Sequence, residues 1–257
     1  MDFATLHYQN KPLLIANVWD VSSAIAAQQA GYLALGTSSA AIATMLGYED
    51  GEVIPFNELL YIVRRIKSAC DLPLTVDLES GFGETANEIA VNIKHLVRLG
   101  IVGINLEDSK VANGTRLIED AVIFANKLIA LRQMLIAENI QLFLNVRTDT
   151  FLLNLENALQ ETLYRGQLYK QSGADGFFVP CVTGKKEIEA ISSQISLPLN
   201  VMCMPELPDF NILAKLGVSR ISMGNFVHSQ IQQQLNKFMS SIQSQQSFAG
   251  VFCDENY

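Results

Sequence analysis

Short runs of apolar, mostly β-branched residues recur along the chain at 13–18, 32–37, 74–78, 102–106, 142–147, 176–179, 199–202 and 220–223. The segments between them carry a helical period. In 57–69, Leu59, Leu60, Ile62, Val63 and Ile66 fall three or four apart on one face, and 40–46, 86–99, 119–138, 155–172 and 185–194 are read as helices too. Gly31, Pro73, Gly100, Gly173, Pro198 and Gly217 punctuate the starts of the apolar runs. A helix closed at glycine and followed by a strand is the expected αβ connection. Strands alternating with helices predict a parallel sheet. Eight such units predict an α/β chain closed into a (β/α)8 TIM barrel over residues 1–230, with 231–257 as a C-terminal helix and tail of the same domain. An open doubly wound sheet is the alternative.

Composition narrows the function. The chain has 257 residues, with 18 Lys and Arg against 26 Asp and Glu, a net charge of −8. A nucleic-acid partner needs a basic footprint, which this chain lacks. The stretch between Asp20 and Glu49 carries no charge and has the length of a membrane span, but Ser22, Ser23, Gln28, Gln29, Ser38 and Ser39 interrupt it and Gly31 divides it. A buried helix–strand–helix passage is predicted instead. The first residues show no basic segment leading into an apolar one, so a cytoplasmic protein without a membrane partner is expected. Cys70, Cys181, Cys203 and Cys253 form no CxxC pair, which predicts buried, reduced thiols.

In a barrel, the active site lies at the C-terminal ends of the strands. Those ends carry Trp19 and Asp20; Thr37, Ser38 and Ser39; Asp77 and Glu79; Glu107 and Asp108; Asn145, Arg147 and Asp149; and Gly224 and Asn225. Asp77 and Glu79 are two apart, so strict alternation turns both the same way, with Glu107 level with them on the next strand. Carboxylates gathered at one point repel unless a cation sits among them. Oxygen donors without His or Cys favour Mg²⁺, or Mn²⁺, with waters retained. Asp50 is a fourth acid in reach. Asp20, Asp108 and Asp149 are read equally as helix caps or as site residues. Gly81 and Gly83 are read as a turn or as room for the backbone to approach a ligand. A helix opening at Ser38 and Ser39 would present the N–H groups of Ser38, Ser39 and Ala40 to an anion, and Arg147 can grip a substrate carboxylate through two parallel bonds, a structural pair with Asp149 or Glu107 being the alternative. A Schiff-base aldolase would need a strand lysine, and the eight runs contain none. His7, His95 and His228 lie where surface or core roles are expected.

The segments Asn17–Asp20 (NVWD), Thr37–Ala40 (TSSA), Leu46–Glu52 (LGYEDGE), Asp77–Gly83 (DLESGFG), Gly103–Ser109 (GINLEDS), Leu144–Asp149 (LNVRTD) and Ala174–Pro180 (ADGFFVP) resemble, in order, those of the isocitrate lyase/phosphoenolpyruvate mutase superfamily. The nearest pattern is its phosphonomutase-like (carboxyvinyl-carboxyphosphonate phosphorylmutase-like) branch. The resemblance implies Mg²⁺ at Asp77, with Asp50, Glu79 and Glu107 holding it directly or through water. It implies a small 2-oxo acid substrate, with Trp19, Ser38, Ser39, Asn145, Arg147 and Asn225 binding it and Arg147, Asp77 and Glu107 taking part in the chemistry. The chemistry implied is lyase cleavage of a C–C or C–P bond through a pyruvate enolate, such as decarboxylation of an oxaloacetate-like acid. A phosphoenolpyruvate/phosphonopyruvate mutase is the alternative, and an inert metabolite-binding barrel the alternative from another class. The family lyases' KKCGH loop is missing, since no cysteine lies between Cys70 and Cys181. Residues 109–116, with Lys110, Asn113 and Arg116, stand where the mutases have a gating loop. The resemblance also implies a homodimer or homotetramer, with the last helix exchanged between copies.

Overall fold

The computed structural model describes residues 2–252. A 3-10 turn, Ala4–Tyr8, precedes strand β1 (Leu13–Val18). Then come α1 (Val21–Gln29), β2 (Ala34–Thr37), α2 (Ser39–Leu46), α3 (Phe56–Ala69), β3 (Leu74–Asp77), α4 (Ala86–Arg98) and β4 (Gly103–Glu107). A two-stranded excursion, β5 (Ser109–Ala112) and β6 (Thr115–Ile118), leads to α5 (Ala121–Ala137). The remainder is β7 (Phe143–Arg147), α6 (Ala158–Gln171), β8 (Gly176–Phe178), α7 (Lys185–Gln194), β9 (Leu199–Met202), α8 (Phe210–Lys215), β10 (Val218–Ser222) and α9 (Phe226–Gln245). Eight parallel strands close a barrel in the order β1-β10-β9-β8-β7-β4-β3-β2, which excludes the open sheet. The uncharged stretch from Asp20 to Glu49 forms α1, β2 and α2 as expected, and among the described residues no helix is long and apolar enough to cross a membrane. The tail boundary at residue 230 falls inside α9.

Local chemistry accounts for the helix starts. Asp20 caps α1 reciprocally with Ser23, and Thr85 caps α4 with Glu88. The apolar faces of α3 and α4 (Leu59, Val63 and Ile66; Ile89, Ile93 and Leu96) are fully buried against the strands.

The inside of the barrel is polar below the mouth. Asn145 Nδ2 donates to Asn105 Oδ1 (2.9 Å) and to Asn200 Oδ1 (3.0 Å), and Asn105 Nδ2 donates to Asp77 Oδ1 (3.3 Å). Beneath this ladder lies Arg220, buried, whose guanidinium makes one hydrogen bond among the described residues, from Nη2 to Thr75 Oγ1 (3.4 Å). His7 stacks on Phe143 with ring centroids 4.2 Å apart.

The excursion after β4 is an antiparallel hairpin, not the loop expected from the family pattern. Its turn residues Asn113 and Gly114 both have positive φ (51° and 73°), the conformation a two-residue hairpin turn requires. Of the described cysteines only Cys70 is buried; Cys181 is half-buried and Cys203 exposed, because both follow strand ends, where the chain meets solvent. Cys253 lies outside the described residues.

Candidate active site

The mouth of the barrel holds a cavity of about 290 Å³ lined by Ser38, Ser39, Ala40, Asp50, Asp77, Asn105, Arg116, Arg147 and Asn225, with Asn17, Leu152, Phe178, Pro180, Met202, Ser222 and Gly224 completing the wall. Asp77 ends β3 and is held on both oxygens, Oδ2 by Ser39 Oγ (2.8 Å) and Oδ1 by Asn105. Ser38 caps α2, its Oγ accepting from Ala41 N–H (3.3 Å). The Ser38 N–H continues the sheet to Val18 O, so only Ser39 and Ala40 offer first-turn N–H groups toward the mouth. Ser38, Ser39, Arg147, Asn225, Asp50 and Asp77 are therefore brought together as the sequence suggested.

Three expectations are corrected. Trp19 follows the last residue of β1 and turns away from the mouth. It lines a separate cavity of about 530 Å³ between α1 and α9 and meets His228 edge-on (4.9 Å). Asn145 is buried in the floor and does not line the cavity; Asn105 takes the lining position. Glu79 does not share the direction of Asp77, because β3 ends at Asp77 and Glu79 adopts a left-handed φ of 50°, where strand alternation no longer applies. It lines a neighbouring cavity of about 210 Å³ with Glu107, Glu52 and Glu84. The turn at Gly81 (φ 116°) is required by packing: a Cβ there would lie 2.6 Å from Ile89 Cγ1 on α4. Close approach to a ligand is not its reason.

Two cations sit among the acids: Arg147, which strand patterning placed there, and Arg116, which it did not. Arg147 donates from Nε to Asp149 Oδ1 (2.6 Å) and from Nη2 to Asp149 Oδ2 (3.1 Å), a bidentate pair, and its Nη1 lies 2.8 Å from Glu107 Oε2. Arg116, reaching in from β6, donates from Nη1 to Glu107 Oε1, to Ser109 Oγ (2.9 Å) and to Asp149 Oδ2 (3.3 Å). Glu107, expected as a metal ligand, thus answers first to two guanidiniums. Asp149 is fully buried and aligns both arginines; Asp108 is buried against Arg165 Nη1 (2.9 Å), Tyr169 and Thr148. Of the three acids left between cap and site, Asp20 is a cap, Asp149 orients the site and Asp108 is a structural ion pair. The signal for Arg116 was present in Asn113-Gly114, which marks a hairpin turning the chain back over the mouth.

Negative charge still exceeds positive here. Burial, then the charges of Glu107 and Asp50, push the Glu79 carboxyl up to about 9. Burial, opposed by Arg147, pushes Glu107 to about 8, and burial with the neighbouring Asp77 raises Asp50. Glu107 Oε2 has no hydrogen-bonded donor despite its proximity to Arg147, the angle being unfavourable. Among the described residues no three His, Cys, Asp or Glu side chains converge as a metal cage. The all-oxygen donor set, the excess of acids and the orphaned Glu107 oxygen nonetheless fit a hard cation that takes one or two carboxylates and keeps its waters.

The family model of phosphoenolpyruvate phosphomutase matches residues 3–243. The chain belongs to this family. A presumed phosphonomutase from Burkholderia cenocepacia J2315 is 38% identical, with a TM-score of 0.87 over 93% of this chain and 97% of that one. An oxaloacetate decarboxylase from Paraburkholderia xenovorans (strain LB400) is 28% identical over 90% of this chain and 77% of its own. A phosphonopyruvate hydrolase solved with oxalate and Mg²⁺ is 20% identical, with a TM-score of 0.84 over 97% of this chain and 88% of that one, and shares the fold. Members of the phosphomutase family are lyases and mutases, and this chain is an enzyme of that kind.

Proposed function

We propose that the chain is a Mg²⁺-dependent lyase that cleaves the bond between C3 of a small 2-oxo acid and an electron-withdrawing group on it, decarboxylation of an oxaloacetate-like acid being the simplest case. The observation that carries this reading is one cavity that brings acids, Asp77 and Asp50, together with anion-binding groups, Arg147 and the first turn of α2. A 2-oxo acid has the matching polarity. The Mg²⁺ present in the phosphonopyruvate hydrolase crystal is consistent with the donor set here.

Asp77 and Asp50 would hold Mg²⁺, with Glu79 and Glu107 reaching it through water. When bound, the ion supplies positive charge to the keto oxygen, where an enolate develops as the bond breaks. Ser39 and Asn105 fix Asp77 so that it need not reorganise during the reaction. Asp149 and Glu107 lock the plane of Arg147, fixing its positive charge beside the anionic substrate. The β5–β6 hairpin closes one side of the mouth, and Val111 packs on Gly51 beside Asp50, which limits access of water to the enolate. No barrel strand carries a lysine, so a Schiff base has no nucleophile there.

The mutase reading is favoured by the 38% identity to the presumed phosphonomutase. Both are tested by pyruvate release, coupled to lactate dehydrogenase, from oxaloacetate, phosphonopyruvate and dimethylmalate with Mg²⁺ and with EDTA, beside Asp77→Ala. Release that needs metal and is lost in the variant supports the lyase. Metal binding without release from any of them moves the assignment to the mutase, whose product the coupling enzyme does not consume. The exposed apolar residues Val227, Ile231, Leu235 and Phe238 along α9 support the homodimer or homotetramer that the family pattern implied, which a solution mass measurement tests.

A further inference from the structure

Two guanidiniums face the cavity, and they differ in which edge the protein has already engaged. Arg147 spends its Nε/Nη2 edge on the two oxygens of Asp149, while its Nη1 lies 2.8 Å from Glu107 Oε2 without a hydrogen bond. Arg116 makes all its hydrogen bonds through Nη1. Its Nη2 is 3.6 Å from Asp50 Oδ2, beyond hydrogen-bond distance, and its Nε has no partner among the described residues. A guanidinium carries five N–H donors in a fixed fork. Arg116 therefore keeps the Nε/Nη2 edge, the edge suited to two parallel bonds to one anionic group, available while Nη1 anchors the side chain. It lines the same cavity as Arg147, and its side chain is 16% exposed.

The supply of anion-binding groups also exceeds what a monoanion needs. A substrate bound only through its carboxylate and keto oxygens would engage the acids and leave the Nε/Nη2 edge of Arg116 unmatched, at a cost in desolvation. A second anionic group on C3 matches them.

Resting on the 2-oxo acid reading above, we propose that Arg116 receives this second anionic group. The hairpin, rather than the barrel strand bearing Arg147, then sets the preference for 2-oxo acids with a carboxylate or phosphonate on C3. Arg147 shapes the field and holds Glu107, while Arg116 makes the discriminating contact.

The test compares two probes by calorimetry in Mg²⁺, using the unsubstituted protein, Arg116→Gln and Arg116→Lys. Oxalate resembles the metal-facing end and lacks the C3 group; 3,3-difluorooxaloacetate carries it. Loss of charge-assisted bonds in Arg116→Gln is expected to weaken difluorooxaloacetate by about ten- to a hundredfold, with oxalate changed by less than about twofold. Arg116→Lys keeps the charge beside Glu107 and Asp149 but lacks the fork, so it is expected to fall between. It also decides the matter should the Gln variant unfold in a thermal melt. Parallel loss of both probes, or no loss of either, overturns the role of Arg116 while leaving the 2-oxo acid site standing. Failure of the unsubstituted protein to bind either probe overturns the site reading and this proposal with it.

Discussion

His7 gives a quantitative test of how the barrel floor is built. The 3-10 turn places its ring beneath the strands, stacked on Phe143 at 9° between planes and edge-on to Phe3 at 4.9 Å, with only 3% of the residue exposed. Nδ1 lies 3.3 Å from Ala4 O, and Nε2 has no partner. Burial, then the nearby charge of Arg220, lowers its pKa from 6.5 to about 4. The folded state therefore holds the imidazole neutral while the unfolded chain takes up a proton below about pH 6.5. The stability contributed is fully present above that pH and is lost as pH falls toward 4. The full shift is worth about 3 kcal/mol, and integrating proton uptake from pH 7.5 to pH 5 gives about 2 kcal/mol. Buried carboxyls with raised pKa values, Glu79 and Glu107 among them, change stability in the opposite direction over the same range. The measurement must therefore be a difference between proteins. His7→Phe retains a ring against Phe143 and cannot be protonated. Urea unfolding of both proteins at pH 7.5 and pH 5 should show the variant gaining about 2 kcal/mol relative to the unsubstituted chain on acidification, about 4–8 °C in melting temperature. A difference that stays flat with pH, or runs the other way, would refute the account of a neutral, dry imidazole next to a buried arginine.

Two further outcomes concern the site. At neutral pH the raised pKa values of Glu79 (about 9) and Glu107 (about 8) leave protons on these carboxyls, so Mg²⁺ binding should expel protons and tighten between pH 6.5 and 8.5. Calorimetric enthalpies should then vary with the ionisation enthalpy of the buffer, and buffer-independent enthalpies would contradict this. Asp149→Asn removes the buried charge that aligns Arg147 and contacts Arg116; it should cost about 3 kcal/mol in denaturant unfolding and about a hundredfold in turnover. A variant as active as the parent would show that the alignment of Arg147 is dispensable.

Local patterning made the architecture legible. The runs at 13–18 and 199–202 match β1 and β9 residue for residue, the segment 185–194 matches α7, and the other barrel strands differ at their ends by one or two residues. Helix α8, absent from the sequence reading, is six residues long, too short for a periodic signal. The hairpin was legible from Asn113-Gly114 and was obscured by reading that stretch as a gating loop. Ser38, Ser39, Asp77, Arg147 and Asn225 reached the mouth because each ends a strand or follows one, and a parallel barrel delivers all such positions to one face; Asp50 comes from the connection between α2 and α3.

By itself the sequence determined the order of strands and helices and the acid-rich ends of the strands, because both follow from periodicity and from turn and cap chemistry within a few residues, while the pairing of β1 with β10 decided closure over the open sheet. Only the tertiary structure decided how those acids are divided and neutralised. Glu79 parted from Asp77 through one left-handed residue, where the period-two rule stops with the strand. Trp19 and Asn145 left the site because the side of a strand end that faces the mouth depends on twist and closure. The guanidinium of Arg116 was set against Glu107 and Asp149, nine and thirty-three residues away in sequence. Such electrostatic partnerships depend on separations of a few ångströms in a low-dielectric mouth, and those separations are fixed only when the barrel closes.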